Sequence, residues 1–96
     1  MSKIALIVED EIFVALDLER ILVEAGYTVA GIAADSQAAM EIGRACQIAF
    51  VDVNLRDGPT GPDIAARLAR DHDVKVVFVT ANPAQIATPQ TALGYV

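Results

Sequence analysis

The chain is predicted to fold as a single α/β domain with a parallel sheet. Short apolar segments rich in β-branched residues recur along the chain, and amphipathic helical stretches separate them. This alternation is typical of βαβ units. With 96 residues, the chain has room for one domain, which we expect to cover residues 1–96.

The predicted strands are runs of large apolar residues. They are expected at Ile4 to Val8, Thr28 to Ile32, Ile48 to Val53 and Val74 to Val79, and a fifth opens at Leu93 to Val96. The first run, and the third from Ile48 to Val51, are apolar without interruption, which favours strands that are covered on both faces of a parallel sheet.

The first predicted helix lies between the first two strands. Gly26 supplies its C-terminal stop. Its apolar face is predicted from residues at helical spacing, namely Val14, Ala15, Leu18, Ile21, Leu22 and Ala25.

Later helices are shorter. The second is predicted to start at the cap Asp35-Ser36 and to continue through Cys46, and the third follows Gly61-Pro62-Asp63. A fourth could begin at Asn82-Pro83, but Thr88-Pro89 should interrupt it after about one turn.

The composition of the chain disfavours several classes of function. The net charge of −6 disfavours direct binding to nucleic acid or to an anionic membrane, because both need clustered Lys and Arg. Mg²⁺ or a basic protein surface is a better match for this negative charge as a binding partner. No apolar run reaches the length of a membrane span and no secretory signal opens the chain, so we expect a soluble cytoplasmic protein. The single cysteine, Cys46, is expected to be a small core residue.

Acidic side chains follow two of the buried strands. Glu9 and Asp10 follow the first strand, and Asp52 ends the third. Parallel strands end at the same edge of a sheet, so these carboxylates should share one pocket, where Mg²⁺ would relieve their repulsion. Asp52 is then the best candidate for a nucleophile toward phosphorus, and the Thr80 hydroxyl could donate a hydrogen bond to a phosphoryl oxygen.

The order of these residues resembles the receiver domain of bacterial two-component response regulators. Glu9 and Asp10 resemble the acidic pair of that family, Asp52 its phosphoacceptor, Thr80 its switch threonine and Tyr95 its switch aromatic. The resemblance covers essentially the whole chain. Phe78 to Asn82 also shows a partial resemblance to a general-stress subfamily with a Phe-Ala-Thr-Gly motif.

The resemblance implies a flavodoxin-like (βα)5 fold with strand order 2-1-3-4-5, here truncated at strand five with the last helix missing. It also implies transfer of a phosphoryl group from a histidine kinase or phosphotransfer protein to Asp52. Mg²⁺ would be held by Asp10, Asp52 and the backbone carbonyl of Asn54, with Glu9 acting through water. Thr80 and then Tyr95 would move on phosphorylation, which is a shift between two packings rather than enzymatic turnover of a substrate.

Some features depart from the family pattern. The family lysine that follows strand five is absent, because the chain ends at Val96. Arg56 stands where a proline is common, and the loop Asp57 to Gly61 is a residue longer than usual. A sheet face without its closing helix indicates one of two alternatives. Either the sequence is part of a longer chain, or the face is covered by a partner or a second copy of the chain, through dimerisation or exchange of a strand or helix.

Two other functions compete with phosphoryl acceptance. The absent lysine favours a docking or dimerisation module that never carries phosphate. A phosphohydrolase with a nucleophilic Asp usually has a second Asp two residues later as its general acid. Here that position is Asn54, which cannot protonate a leaving group.

Overall fold

The computed structural model describes residues 3–52 and 61–79, together with the backbone of 92–95. In chain order the elements are β1 Ile4–Val8, α1 Ile12–Glu24, β2 Thr28–Ala33, α2 Ser36–Gly43, β3 Ile48–Asp52, α3 Gly61–His72, β4 Lys75–Val79 and β5 Ala92–Tyr95. The strands all run parallel in one sheet of order β2-β1-β3-β4-β5, as predicted. The predicted fourth helix, between Asn82 and Pro89, lies outside the described residues.

The sheet buries apolar side chains on both faces, because successive residues of its central strands point in opposite directions. On β1, Leu6 and Val8 pack against α2 and α3, whereas Ala5 and Ile7 pack on the side of α1. Across that second face, the rings of Tyr27 and Phe50 meet edge to face with centroids 5.7 Å apart. This two-sided burial explains the uninterrupted apolar runs of the sequence.

Helix α1 ends as predicted. Gly26 has φ of 100°, a left-handed conformation that favours glycine, and its N–H bonds the carbonyl of Val23. The buried face is narrower than predicted, because only Ala15, Leu18 and Leu22 are covered by the sheet. Val14 and Ile21, which the spacing assigns to the same face, are exposed. A helix touches one sheet along a single line, so side chains on the flanks of that line stay outside the contact.

Helix α2 begins at the predicted cap, where the Asp35 carboxylate accepts a hydrogen bond of 2.9 Å from the N–H of Ala38. It ends at Gly43, so the prediction that it continues through Cys46 is wrong. Gly43 packs tightly against Leu68 of α3, leaving no room for a Cβ atom. Cys46 lies in the turn that follows, and it is buried in the core as expected. Within the described residues, no helix is long and apolar enough to cross a membrane.

Candidate functional site

Three carboxylates meet at the C-terminal edge of the sheet. Neighbouring strands β1 and β3 align Val8 with Val51, so the next residues of each strand, Glu9 and Asp52, come side by side. Asp10 follows in the turn before α1. One carboxylate oxygen from each acid lies within 4.8 Å of the others. The strands therefore bring Glu9, Asp10 and Asp52 into a single cluster.

The chemistry of this cluster fits Mg²⁺. All of its ligand atoms are carboxylate oxygens, which hard divalent cations prefer, and the group contains no imidazole or thiolate. Asp10 and Asp52 are half-buried, so they can be reached from solvent, whereas Glu9 is 7% exposed. Asp10 and Asp52 are thus the better placed of the three to bind an ion that keeps part of its water shell.

Glu9 differs from the other two acids because it is buried. Burial raises the pKa of Glu9 from 4.5 to about 7, and the hydrogen bond to Asp52 and the repulsion by that carboxylate act in the same direction. The N–H groups of Glu11 and Asp10 donate to Glu9 and oppose the rise. At neutral pH without metal, Glu9 therefore holds a proton for much of the time and donates it toward Asp52.

Asn54, Arg56 and Thr80 lie outside the described residues. Tyr95 closes β5, and its backbone aligns with Phe78 of β4. Asp52 aligns with Val79, the residue that precedes Thr80 in the sequence.

One feature near the cluster was missed in the sequence. The outer face of α1 is mixed, because it carries the ion-paired residues Asp17, Arg20 and Glu24 together with apolar side chains. Among the apolar ones, Phe13, three residues after Asp10, is 82% exposed. Ile12, Leu16 and Val23 are also more than 40% exposed. The signal was present, since an amphipathic surface helix has a polar outer face and α1 has apolar residues there. Such a surface beside an ionic site favours contact with another protein.

Comparison with known proteins agrees with this architecture. The family model of the response regulator receiver domain matches residues 5–95. The chain belongs to this family. The resemblance noted in the sequence is therefore confirmed, and so are the flavodoxin-like fold and the receiver class.

Several relatives of this receiver domain are called PhyR. The phyllosphere-induced regulator PhyR of Methylorubrum extorquens is 33% identical over 91 residues, which is 92% of this chain and 34% of that protein. The receiver domain of Erythrobacter litoralis PhyR superposes with a TM-score of 0.83 at 30% identity, covering 97% of this chain and 78% of that one. A PhyR stress response regulator gives a TM-score of 0.83 at 31% identity over the whole chain and 39% of its own length. The chain thus spans about a third of the curated relative that it matches.

Proposed function

We propose that this receiver domain accepts a phosphoryl group on Asp52 from a histidine kinase or phosphotransfer protein, in the presence of Mg²⁺. The observation that carries the proposal is the meeting of Glu9, Asp10 and Asp52 at the C-terminal edge of the sheet. In open α/β sheets this edge is where ligands bind.

Each residue has a separate role in this proposal. Asp10, Asp52 and the carbonyl of Asn54 hold Mg²⁺, and Glu9 contributes through water. When bound, Mg²⁺ offsets the negative charge of the carboxylates and of the phosphoryl oxygens. Thr80 then donates a hydrogen bond to a phosphoryl oxygen, and Tyr95 follows it, which changes the surface around β4 and β5.

The transfer itself needs an ionised Asp52. One carboxylate oxygen of Asp52 attacks phosphorus of the donor phosphohistidine as the P–N bond breaks, and the bonding electrons return to the imidazole nitrogen, which takes up a proton. The product is an acyl phosphate on Asp52.

The test is direct phosphorylation of the purified chain. Incubation with acetyl phosphate and Mg²⁺, followed by intact-mass measurement, should give one phosphoryl adduct per chain. Asp52→Ala should give none, and EDTA should suppress the adduct in the wild type. An adduct that survives in Asp52→Ala, or its absence from a folded wild-type chain that binds Mg²⁺, would contradict the proposal.

The exposed surface of α1 gives the proposed donor a place to dock. Helix α1 starts at Ile12, directly after the acidic turn, so a protein that packs on its first turn brings its histidine close to Asp52. Phe13 projects from this turn and offers the largest exposed apolar side chain of the helix.

Replacing Phe13 by alanine should slow transfer from a protein donor about tenfold, because truncation of a central apolar contact costs more than about 1 kcal/mol. Phosphorylation by acetyl phosphate, which needs no docking surface, should be unchanged. The measurement is the transfer rate from a ³²P-labelled phosphotransfer domain that is active on the wild type.

Val23→Ala is the matched control. Val23 is 55% exposed on the same helix, but it lies about 15 Å further along, away from the cluster. Equal losses in the two variants, or a loss of acetyl phosphate reactivity in Phe13→Ala, would show that the effect is not donor docking at the first turn.

A second candidate is a docking or dimerisation module that works without phosphate. The apolar surface of α1 favours it, because a second copy could cover this surface as well as a donor could. A dimer that forms equally in the wild type and in Asp52→Ala, together with no phosphoryl adduct, would support this candidate.

By analogy with the PhyR stress response regulator, we propose that the domain takes part in the control of a stress response.

A further inference from the structure

A second polar feature lies at the opposite edge of the sheet, where the strands begin. A cavity of about 270 Å³ opens there between the first residues of β1, β3 and β4, and it is lined by Lys3, Gln47, Ile48 and Lys75. The strands are about 16 Å long, so this cavity is separated from the acidic cluster by the length of the sheet.

Both lysines of the chain line this cavity. In the sheet register Lys75 lies beside Ile48, and Lys3 precedes β1 on the other side of β3. Side chains two residues apart on a strand point to the same face of the sheet, so Lys3 lies on the face of Ala5 and Lys75 on the face of Val77. Both belong to the face that also carries Ile48. The two lysines thus flank an apolar floor. Their Cα atoms are about 12 Å apart, because they are separated by two strand spacings across β3 and by two residues along the strand direction.

These lysines are not neutralised by the described part of the chain. Arg20 and Arg70 each pair with an acid, at 2.7 and 2.8 Å, but no described carboxylate forms an ion pair with Lys3 or Lys75. In a chain with a net charge of −6, two lysines without an ion pair at one cavity favour an anionic ligand there.

Gln47 adds a donor in a fixed orientation. Its Oε1 accepts a hydrogen bond of 3.0 Å from the N–H of Ile4, which ties the amide to β1. The Nε2 group is therefore the end of the side chain that can donate to a ligand. The cavity then offers three side-chain donor groups and an apolar wall from Ile48.

We propose that this cavity binds a small phosphate dianion, either free phosphate or a compact phosphate monoester. Two ammonium groups balance the charge of about −2 that such a group carries near neutral pH. The volume is slightly below that of usual ligand pockets, so it suits a phosphate with few carbon atoms. The site is independent of Asp52, because ionic strength screens charges more than about 8 Å apart at physiological salt.

The test is a titration of the ¹⁵N-labelled chain with inorganic phosphate, and separately with methyl phosphate, at constant ionic strength in EDTA. Without a divalent cation, the acidic cluster repels anions and does not compete. Saturable shifts should centre on the amides of Lys3, Gln47 and Lys75. Lys75→Ala should weaken binding about tenfold, and the double variant Lys3→Ala/Lys75→Ala should abolish it.

Arg44→Ala is the matched control, since it removes one exposed positive charge from the end of α2, a helix that packs on the other face of the sheet from the two lysines. It should bind phosphate within about twofold of the wild type, and Lys75→Arg should retain binding. Unchanged affinity in the folded double variant, or an equal loss in Arg44→Ala, overturns the proposal. Saturable binding of methyl phosphate identifies a monoester as an accepted ligand, and binding of inorganic phosphate alone restricts the site to the free anion.

Discussion

Replacing Asp10 by asparagine should weaken Mg²⁺ binding about 100-fold and slow phosphorylation of Asp52 by a similar factor at low Mg²⁺. Asp10 belongs to the cluster of three oxygen ligands, and an amide in its place offers a neutral oxygen instead of an anionic one. Removing a group that hydrogen-bonds to a metal ligand typically lowers metal affinity 10- to 100-fold. Removing a charged ligand itself should therefore lower Mg²⁺ affinity by at least the upper end of that range. The measurements are Mg²⁺ titration by NMR and the rate of adduct formation with acetyl phosphate.

Glu11→Gln provides a closely matched control. It makes the same change of charge one residue further along, but Glu11 is exposed and its contribution to the cluster is a backbone N–H that bonds Glu9. This variant should keep both the Mg²⁺ affinity and the phosphorylation rate of the wild type within about twofold. High Mg²⁺ should partly restore Asp10→Asn, because the acceptor Asp52 is intact. Equal losses in the two variants would mean that general electrostatics, rather than ligation, controls the reaction.

The fold was predictable because its signals are local and agree with one another. Uninterrupted apolar runs such as Ile4–Val8 indicated strands buried on both faces, and Gly26 indicated the end of α1. The end of α2 was missed. Cys46 continues the apolar spacing of the helix, but the close contact of Gly43 with Leu68 and the turn into β3 depend on tertiary packing. Spacing alone cannot separate a buried helical residue from a buried residue in the turn that follows.

The sequence was sufficient to predict which residues form the cluster, but not which of them has a raised pKa. Strand ends and parallel topology were sufficient to place Glu9, Asp10 and Asp52 together. The sequence does not show that Glu9 is the buried member, because burial depends on what packs over each side chain. The exposure of Phe13 was missed for a related reason: the periodicity of α1 defines the face toward the sheet, and the apolar residues beyond that face belong to no element of the predicted core.

In the absence of divalent cations, the chain should become less stable as the pH rises from about 4.5 to about 7. Within this range Glu9 is largely protonated in the folded chain but ionised in the unfolded chain, because its pKa rises from 4.5 to about 7 on folding. The folded state then binds more protons than the unfolded state, so the free energy of unfolding decreases with pH. The contribution of protonated Glu9 to the free energy of unfolding is fully present below its unfolded-state pKa of 4.5, and it is lost above its folded-state pKa of about 7. We expect a loss on the order of 2 to 3 kcal/mol, measured by urea unfolding in EDTA at pH 4.5 and 7.5.

Glu9→Gln isolates this effect from other titrating groups. The glutamine amide can still donate a hydrogen bond to Asp52, but it cannot ionise, so this variant should lose less stability than the wild type over the same range. Glu11→Gln should behave like the wild type. Mg²⁺ should reduce the loss in the wild type, because a cation among the three acids stabilises the ionised form of Glu9. If Glu9→Gln and the wild type lose the same stability between pH 4.5 and 7.5, the buried carboxyl is not the group responsible. The same burial that makes Glu9 costly without metal therefore makes the folded chain sensitive to Mg²⁺ near neutral pH.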